Sequence, residues 1–338
     1  MFFRSIATAL PPRSWTQAEC WHSLRDASII RSLKPRSRSL LEKVLMANNG
    51  IETRHFATTS LTDVFTSPAQ KLNETFEREA SALAAEALRK ALIKADLGTV
   101  DALFICTCTG YLCPGLTSYV AEALDLPAST YMMDITGAGC GTALPAIHAA
   151  CSYLKAHPAH RAAIIAVEIC SSAFYLSDDP GVLISLCLFG DGAAALVLDG
   201  EEVRRSDQHF ANFHTLHLPE HREKVRFVNR EGKLCNQLHR AVPVVAARAV
   251  QTLHEEDDLP AHYVVSHAGG RDVLTAIQAQ LPLHELTEAH EVLQRCGNMS
   301  SPSVIFALER ALAQEKAVPF WLTTFGAGFA CHSCTLES

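Results

Sequence analysis

The sequence predicts an α/β protein of layered architecture, with one β-α-β-α-β unit used twice. Three observations carry that prediction. Short apolar runs rich in Ala, Val, Ile and Leu alternate with segments of helical period, as in sheets buried on both faces. The same order of elements recurs in both halves of the chain at a nearly constant offset. Each copy also places one glycine-flanked reactive or polar residue just before a buried helix. These are Cys140 in the first copy and Asn298 in the second, 158 positions apart.

The first element is the apolar run from Met1, which Pro11-Pro12 ends early. It lacks the basic region and sustained hydrophobic core of a secretory signal and reads as a strand. Residues 13–73 read as a mainly helical addition with loops. The first copy opens with an amphipathic helix over 74–95, with Phe76, Ala80, Leu83, Ala87 and Ala91 on one stripe, stopping at Gly98. A strand over 101–107 follows, then a helix over 117–124, a strand over 131–135, the buried helix after Cys140 and a strand over 162–167. The second copy runs from a helix that begins near Pro243 and ends near Leu259-Pro260. A strand over 262–266, a helix over 273–281, the Gly297-Asn298 turn, a helix over 304–313 and a strand over 320–324 complete it. Two such copies suggest two packed mixed sheets with helices between and outside them. The natural division falls near residue 200, giving halves 1–200 and 201–338. The polar stretch from Glu201 to Arg240 reads as a linker that adds a rim or lid to a pocket.

Composition narrows the function. Of 338 residues, 48% are hydrophobic and 19% charged, which suits a well-buried α/β protein. A net charge of −7 argues against a nucleic-acid binder. No apolar run approaches the length of a membrane span. Twelve cysteines could suggest disulfides or metal, but an unpaired thiol at Cys140 fits a reducing cytosol. Cys106-x-Cys108 and Cys331-His332-x-Cys334 have metal-like spacing, but neither has a partner pair, so no metal is assigned.

The segment Asp134-Ile135-Thr136-Gly137-Ala138-Gly139-Cys140-Gly141 carries the strongest chemical signal. It places a thiol at the first turn of a helix, where unpaired N–H groups and the dipole favour thiolate. His267 ends a β-branched run before Ala-Gly-Gly. Asn298 stands between Gly297 and Met299-Ser300-Ser301. The duplication brings Cys140 and Asn298 to equivalent helix ends, and His267 to the end of an equivalent strand. Asn298 also has a plainer role open to it, stabilising its turn or capping the next helix. Gly190-Asp191-Gly192 reads as a turn between strands, not a phosphate loop, because no Lys-Ser/Thr follows. Glu168 reads as a buried structural carboxylate rather than a base.

Cys140, His267 and Asn298 in that order resemble the condensing enzymes of the thiolase superfamily. The closest match is the type III polyketide synthases, the chalcone and stilbene synthase family. Cys106-Thr107-Cys108-Thr109-Gly110, Pro114-Gly115, Glu168, Leu188-Phe189-Gly190-Asp191-Gly192, Gly297-Asn298-Met299-Ser300-Ser301 and Phe325-Gly326-Ala327-Gly328 all share in the resemblance. It implies a thiolase-like α/β/α/β/α fold, a homodimer and acyl-CoA and malonyl-CoA as substrates, with no further cofactor. It also implies that Cys140 carries the acyl group, while His267 and Asn298 hold the thioester oxygen. Loss of CO2 from malonyl-CoA would put an enolate on that oxygen, and the enolate carbon would attack acyl-Cys140, a decarboxylative Claisen condensation.

The family pattern further implies an aromatic gate at Phe189, for which core packing is an equal alternative. It implies cavity positions at Cys108, Thr109, Cys170, Ala173 and Ser300, and a residue reaching the neighbouring subunit at Cys113. Asn236 falls where the family has a second phenylalanine, which implies a roomier and more polar pocket. Arg31, Lys34, Arg36, Arg38 and Lys43 form a basic cluster that suits coenzyme A phosphates or a solvated helix face equally. The competing reading is a ketoacyl synthase III-like enzyme fed by acyl carrier protein. A cysteine protease with a Cys-His-Asn set leaves the duplication unexplained, and a catalytically silent protein of this fold leaves the three polar residues unexplained.

Overall fold

The computed structural model describes all residues except 59, 202–207, 258–261 and 317–318. The first half holds β1 (Phe2–Ala9), β2 (Ser14–Thr16), α1 (Gln17–Asp26), α2 (Pro35–Met46), β3 (Thr53–His55), α3 (Asp63–Thr66) and α4 (Ala69–Ala95). It continues with β4 (Ala102–Thr107), α5 (Leu116–Ala123), β5 (Tyr131–Thr136), α6 (Ala143–Ala156), β6 (Arg161–Glu168), α7 (Pro180–Leu188) and β7 (Gly192–Asp199). Then come β8 (His209–His217), β9 (Val225–Arg230), β10 (Lys233–Leu238), α8 (Val242–Glu256), β11 (Tyr263–Ser266) and α9 (Arg271–Gln280). The chain closes with α10 (Thr287–Cys296), α11 (Ser303–Ala313), β12 (Phe320–Gly326) and β13 (Ala330–Glu337).

The main sheet runs in the order β11-β12-β13-β8-β1-β7-β6-β4-β5. Its first half packs β4 parallel to both β5 and β6, and β7 antiparallel to β6 and β1. Its second half repeats the scheme, with β11 parallel to β12 and β13 antiparallel to β12 and β8. The layered α/β class expected from the sequence is borne out, with one correction. The two half-sheets are joined into one, through the pairing of Phe2 with His209.

Alternation explains the layers. Leu103 and Ile105 of β4 pack with Ala163, Ile165 and Val167 of β6 under α4, while Ala102, Phe104 and Cys106 face α6 on the other side. Both faces are therefore apolar, and each fully buried Leu or Ile contributes about 2 kcal/mol of transfer free energy. α4 starts after Pro68 and ends at Asp96, whose φ of 57° turns the chain left-handed just before the expected stop at Gly98.

Other expectations need correction. β5 is not buried on both faces: it is the sheet's edge, with Tyr131 and Met132 exposed. Gly190-Asp191-Gly192 joins helix α7 to β7, not two strands. The stretch 201–240 contains β8, a central strand, besides the β9–β10 hairpin. Only half of β8's pattern is apolar, so its period was hidden among histidines and polar residues. The second copy has no counterpart of β5, and α10 leads to Gly297 in its place. α8 ends at Glu256, and the helix end expected near Leu259-Pro260 lies outside the described residues. No helix among the described residues is long and apolar enough to cross a membrane.

Candidate active site

The thiol turn is built by close backbone packing. Gly137 and Gly139 take φ of 95° and 59°, which carries the chain from β5 into a single 3-10 turn, Gly139–Gly141, with Cys140 at its centre. α6 begins only at Ala143, so the thiol lies before the helix rather than in its first turn. Thr142 Oγ1 donates to the Gly139 carbonyl at 2.6 Å, and Thr324 Oγ1 donates to the Gly141 carbonyl at 3.1 Å. The end of β12 presses on this turn. A Cβ at Gly326 would lie 2.5 Å from the Gly141 nitrogen and 2.9 Å from the Cys140 nitrogen. The glycine of Phe325-Gly326-Ala327-Gly328 is thus demanded by the thiol turn.

His267 follows β11 and is buried. Its N–H donates to the Thr323 carbonyl at 3.0 Å, and its ring stands edge-on to Phe325 with centroids 5.1 Å apart. Both ring nitrogens are buried with no hydrogen-bond partner. Burial pushes its pKa down to about 3, so the imidazole is neutral. Asn298 sits beside it with a fixed amide. Its Nδ2 donates to the Gly269 carbonyl at 3.2 Å, and its Oδ1 accepts from the Ser300 N–H at 2.7 Å. Gly269 also donates its own N–H to the His267 carbonyl at 2.9 Å, so one residue ties histidine to asparagine.

Ser300 links this pair to the thiol. Its φ of 61° turns the chain, and its hydroxyl lies 3.3 Å from the Cys108 sulfur. Burial pushes the Cys140 thiol up to about 12, with the Ser300 hydroxyl opposing and the Glu168 charge adding to the rise. Burial of the sulfur thus opposes the dipole-stabilised thiolate expected from the sequence, and α6 starts only three residues later. The three residues come together through Gly269, Ser300 and Phe325-Gly326, without a hydrogen bond between Cys140 and His267.

Residues 12–254 match the family model described as FAE1/Type III polyketide synthase-like protein. The chain belongs to that family. Residues 255–338 match the model of the 3-oxoacyl-[acyl-carrier-protein] synthase III C terminal. Among curated relatives, the 3,5-dihydroxyphenylacetyl-CoA synthase of Streptomyces toyocaensis is 28% identical, over 93% of this chain and 83% of that protein. The 1,3,6,8-tetrahydroxynaphthalene synthase of Streptomyces coelicolor is also 28% identical, over 85% of this chain and 80% of its own. The crystal structure of PKS-I from the brown alga Ectocarpus siliculosus superposes with a TM-score of 0.90 at 23% identity, covering 100% of this chain and 98% of that one.

In this type III polyketide synthase-like chain the buried carboxylates are structural. Glu168 accepts from the Thr107 hydroxyl, from the Cys108 and Thr109 N–H groups, and from the Thr109 and Ser301 hydroxyls, at 2.7 to 3.2 Å. Asp191 accepts from the Ser171 N–H and hydroxyl and from the Ala57 N–H, and burial pushes it up to about 6. The pocket residues divide into groups. Burial pushes the Cys108 and Cys170 thiols up as it does Cys140, and the Ser300 hydroxyl lies against the Cys108 sulfur. Thr109 is buried with its hydroxyl committed to Glu168 and to the Ile169 N–H, and Ala173 ends the buried 3-10 turn Cys170–Ala173. Phe189 is buried in an apolar cluster with Phe56, Phe174 and Leu186, against which Cys140 packs. Its backbone bridges Asn298. Asn236 lies on β10, two residues from Leu234, with its Oδ1 buried and unpartnered. Cys113 is exposed in the loop before α5.

A cavity of about 640 Å³ opens beside the thiol turn, bounded by Cys108, Gly139, Ala327, Leu234, Arg222 and Arg226. One of its walls is thus the rim expected from residues 201–240. Arg222 and Arg226 are basic residues at this mouth. Arg54 also escaped sequence reading. It is 2% exposed, and its Nη1 donates to the Leu186 and Phe189 carbonyls at 2.7 and 2.9 Å. A Cβ at Gly297 would meet its side chain at 2.9 Å. It therefore locks the Phe189 and Asn298 segments together. No local pattern marks it, because its partners, the Gln17 side chain at 3.0 Å and the Leu186 and Phe189 carbonyls, lie 37 to 135 residues away.

Proposed function

We propose that this protein builds polyketides by condensing malonyl-CoA onto an acyl-CoA starter held on Cys140. The observation that carries the reading is the fixed His267–Gly269–Asn298 group beside the glycine-bounded thiol turn. In the loading step, His267 takes the proton from the Cys140 sulfur, which attacks the starter carbonyl. Coenzyme A leaves as a thiol with that proton, and the imidazole returns to neutral. Malonyl-CoA then places its thioester oxygen against the His267 and Asn298 donors. Loss of CO2 leaves the electron pair as an enolate on that oxygen. A single such donor is commonly worth about 3 kcal/mol in the transition state. The enolate carbon attacks acyl-Cys140, and the sulfur departs as the new carbon–carbon bond forms. A neutral imidazole can donate a hydrogen bond to the thioester oxygen, and for it to take the thiol proton bound substrate has to lift it from the low pKa that burial imposes.

Turnover without a carrier protein tests the reading. Malonyl-CoA and a panel of acyl-CoA starters should yield polyketide products detectable by mass spectrometry. Activity only with malonyl groups on acyl carrier protein would favour the ketoacyl synthase III-like reading, for which the match of residues 255–338 is the supporting observation. Asn236 in place of a family phenylalanine supports a roomy pocket that admits medium or long aliphatic starters. Phe189 would wall the starter end of it. The exposed edge strand β5 supports a homodimer in which Cys113 reaches the second subunit's pocket; light scattering after gel filtration tests the assembly. Twelve free thiols support a reducing cytosolic setting.

A further inference from the structure

Three histidines gather on the second half, away from the thiol. His254 stands on the last turn of α8, His262 immediately before β11, and His284 in the connection between α9 and α10. One candidate ligand atom from each lies within 4.8 Å of the other two. Their ring centroids are 4.9, 5.4 and 5.1 Å apart, with His262 and His284 stacked at 23°. The Nε2 atoms of His254 and His262 are 2.9 Å apart and share one proton. Trp321 backs the group, its ring perpendicular to that of His254 at 5.1 Å. All three imidazoles are half-buried, so they are held by the fold yet open on one side.

We infer that His254, His262 and His284 form a binding site for a late first-row divalent metal ion such as zinc. Imidazole is the protein ligand such ions favour, and three imidazoles with an open fourth position make a recurrent zinc set. A tetrahedral ion bound at about 2.0–2.1 Å holds its nitrogens roughly 3.4 Å apart. Small side-chain rotations reach that spacing from the observed one. The contact between the two Nε2 atoms at 2.9 Å gives way to their bonds to the ion. The ion would tie α8, the start of β11 and the α9–α10 connection together. His262 and His267 bracket β11, so the site lies roughly 17 Å from the imidazole of the proposed mechanism, at 3.3 Å per residue. Its role is to brace the strand that carries His267, not to take part in condensation.

Cobalt(II) added to the full-length, metal-stripped protein tests this directly. The wild type should take up one equivalent and show visible d–d bands, without the charge-transfer band of a cobalt–thiolate bond. His284→Ala and His254→Ala should each lose those bands. Zinc at a hundredfold excess over its Kd should raise the unfolding midpoint of the wild type by roughly 4 °C and leave His284→Ala unmoved. Equal cobalt uptake by wild type and both variants, a thiolate band, or no uptake by the wild type would overturn the inference. The wild-type spectrum alone separates imidazole from cysteine ligands, so the test stands even if one variant folds poorly.

Discussion

The two halves of the molecule put different residues at the same structural place. In the first, β5 delivers the chain to the Gly139–Gly141 turn and then to α6. In the second, α10 delivers it to Gly297-Asn298 and then to α11. Cys140 keeps partial exposure beside a cavity, whereas Asn298 is 3% exposed and pinned by Gly269, Ser300, Leu188 and Gly190. The difference matches what each must do. A nucleophile that receives acyl groups has to be reached by its carrier. A hydrogen-bond donor to a developing charge has to be aimed beforehand, so that no reorganisation is needed at the moment of reaction. The same kind of turn thus serves access in one half and rigidity in the other.

The largest effect should come from removing the accessible partner. Cys140→Ala should lower condensation by on the order of 10³-fold or more. Peptide mass spectrometry of wild type incubated with an acyl-CoA should place the adduct on Cys140 alone. An adduct on Cys108 or Cys170, with Cys140 free, would break the comparison at its root.

The rigid partner should fail differently. Asn298→Ala should lower malonyl-CoA decarboxylation by about 10²–10³-fold while still permitting starter loading. His267→Ala should impair both steps, because the same imidazole takes the thiol proton. Lost loading with normal decarboxylation in Asn298→Ala would reverse the roles of the two halves.

Gly326→Ala sharpens the contrast through the contact between halves. The new methyl would overlap the Gly141 nitrogen, so the thiol turn has to shift. We expect about 1–3 kcal/mol lower stability in denaturant unfolding, with slower acyl loading. Decarboxylation should change less, because the Gly269–Asn298 contact is untouched.

Acid should weaken the second half through its neutral histidines. His267 and His332 are held near 3 and 4, whereas an unfolded histidine titrates near 6.5. Below about pH 6.5 the unfolded chain binds protons that the folded one refuses. Their contribution is therefore fully present above that pH and is lost as pH falls toward 4, by about 1.4 kcal/mol per unit for each group. Asp191, raised to about 6, works the other way: between about pH 6 and 4 the folded chain takes the proton first and gains stability. Glu168, also raised by burial, acts in the same sense as Asp191, while His254, His284 and His290, lowered by burial, add to the loss. Urea unfolding from pH 7 to 4 should show stability falling, and His267→Gln should make the fall less steep.

The smallest effect concerns the pocket wall. Asn236→Phe should fill volume near Leu234 and narrow the range of acyl-CoA chain lengths accepted, with turnover of short starters retained. An unchanged chain-length profile would remove Asn236 from the starter pocket.

Local sequence determined a great deal here. Apolar periodicity marked α4, β4, β6 and α11, since burial on a face repeats along the chain wherever one element packs on another. Glycine spacing marked the turns at Cys140 and Asn298, and the repetition of the two patterns placed them at equivalent positions. The edge character of β5, the role of β8 and the helix α10 were not legible in that way. β5 is as apolar as a buried strand, β8 is too polar for a central one, and in each case the neighbours decide. Arg54 and Gly326 belong to the same class. Their meaning lies in contacts with backbone groups far away in sequence, and no periodicity records such contacts. The state of the thiol is the clearest instance. Sequence places Cys140 before a helix, whose dipole argues for thiolate. Only the folded surroundings, which bury the His267 ring and leave Cys140 partly exposed, oppose the charged form of each group, because desolvation is a property of the whole enclosure and not of any segment that forms it.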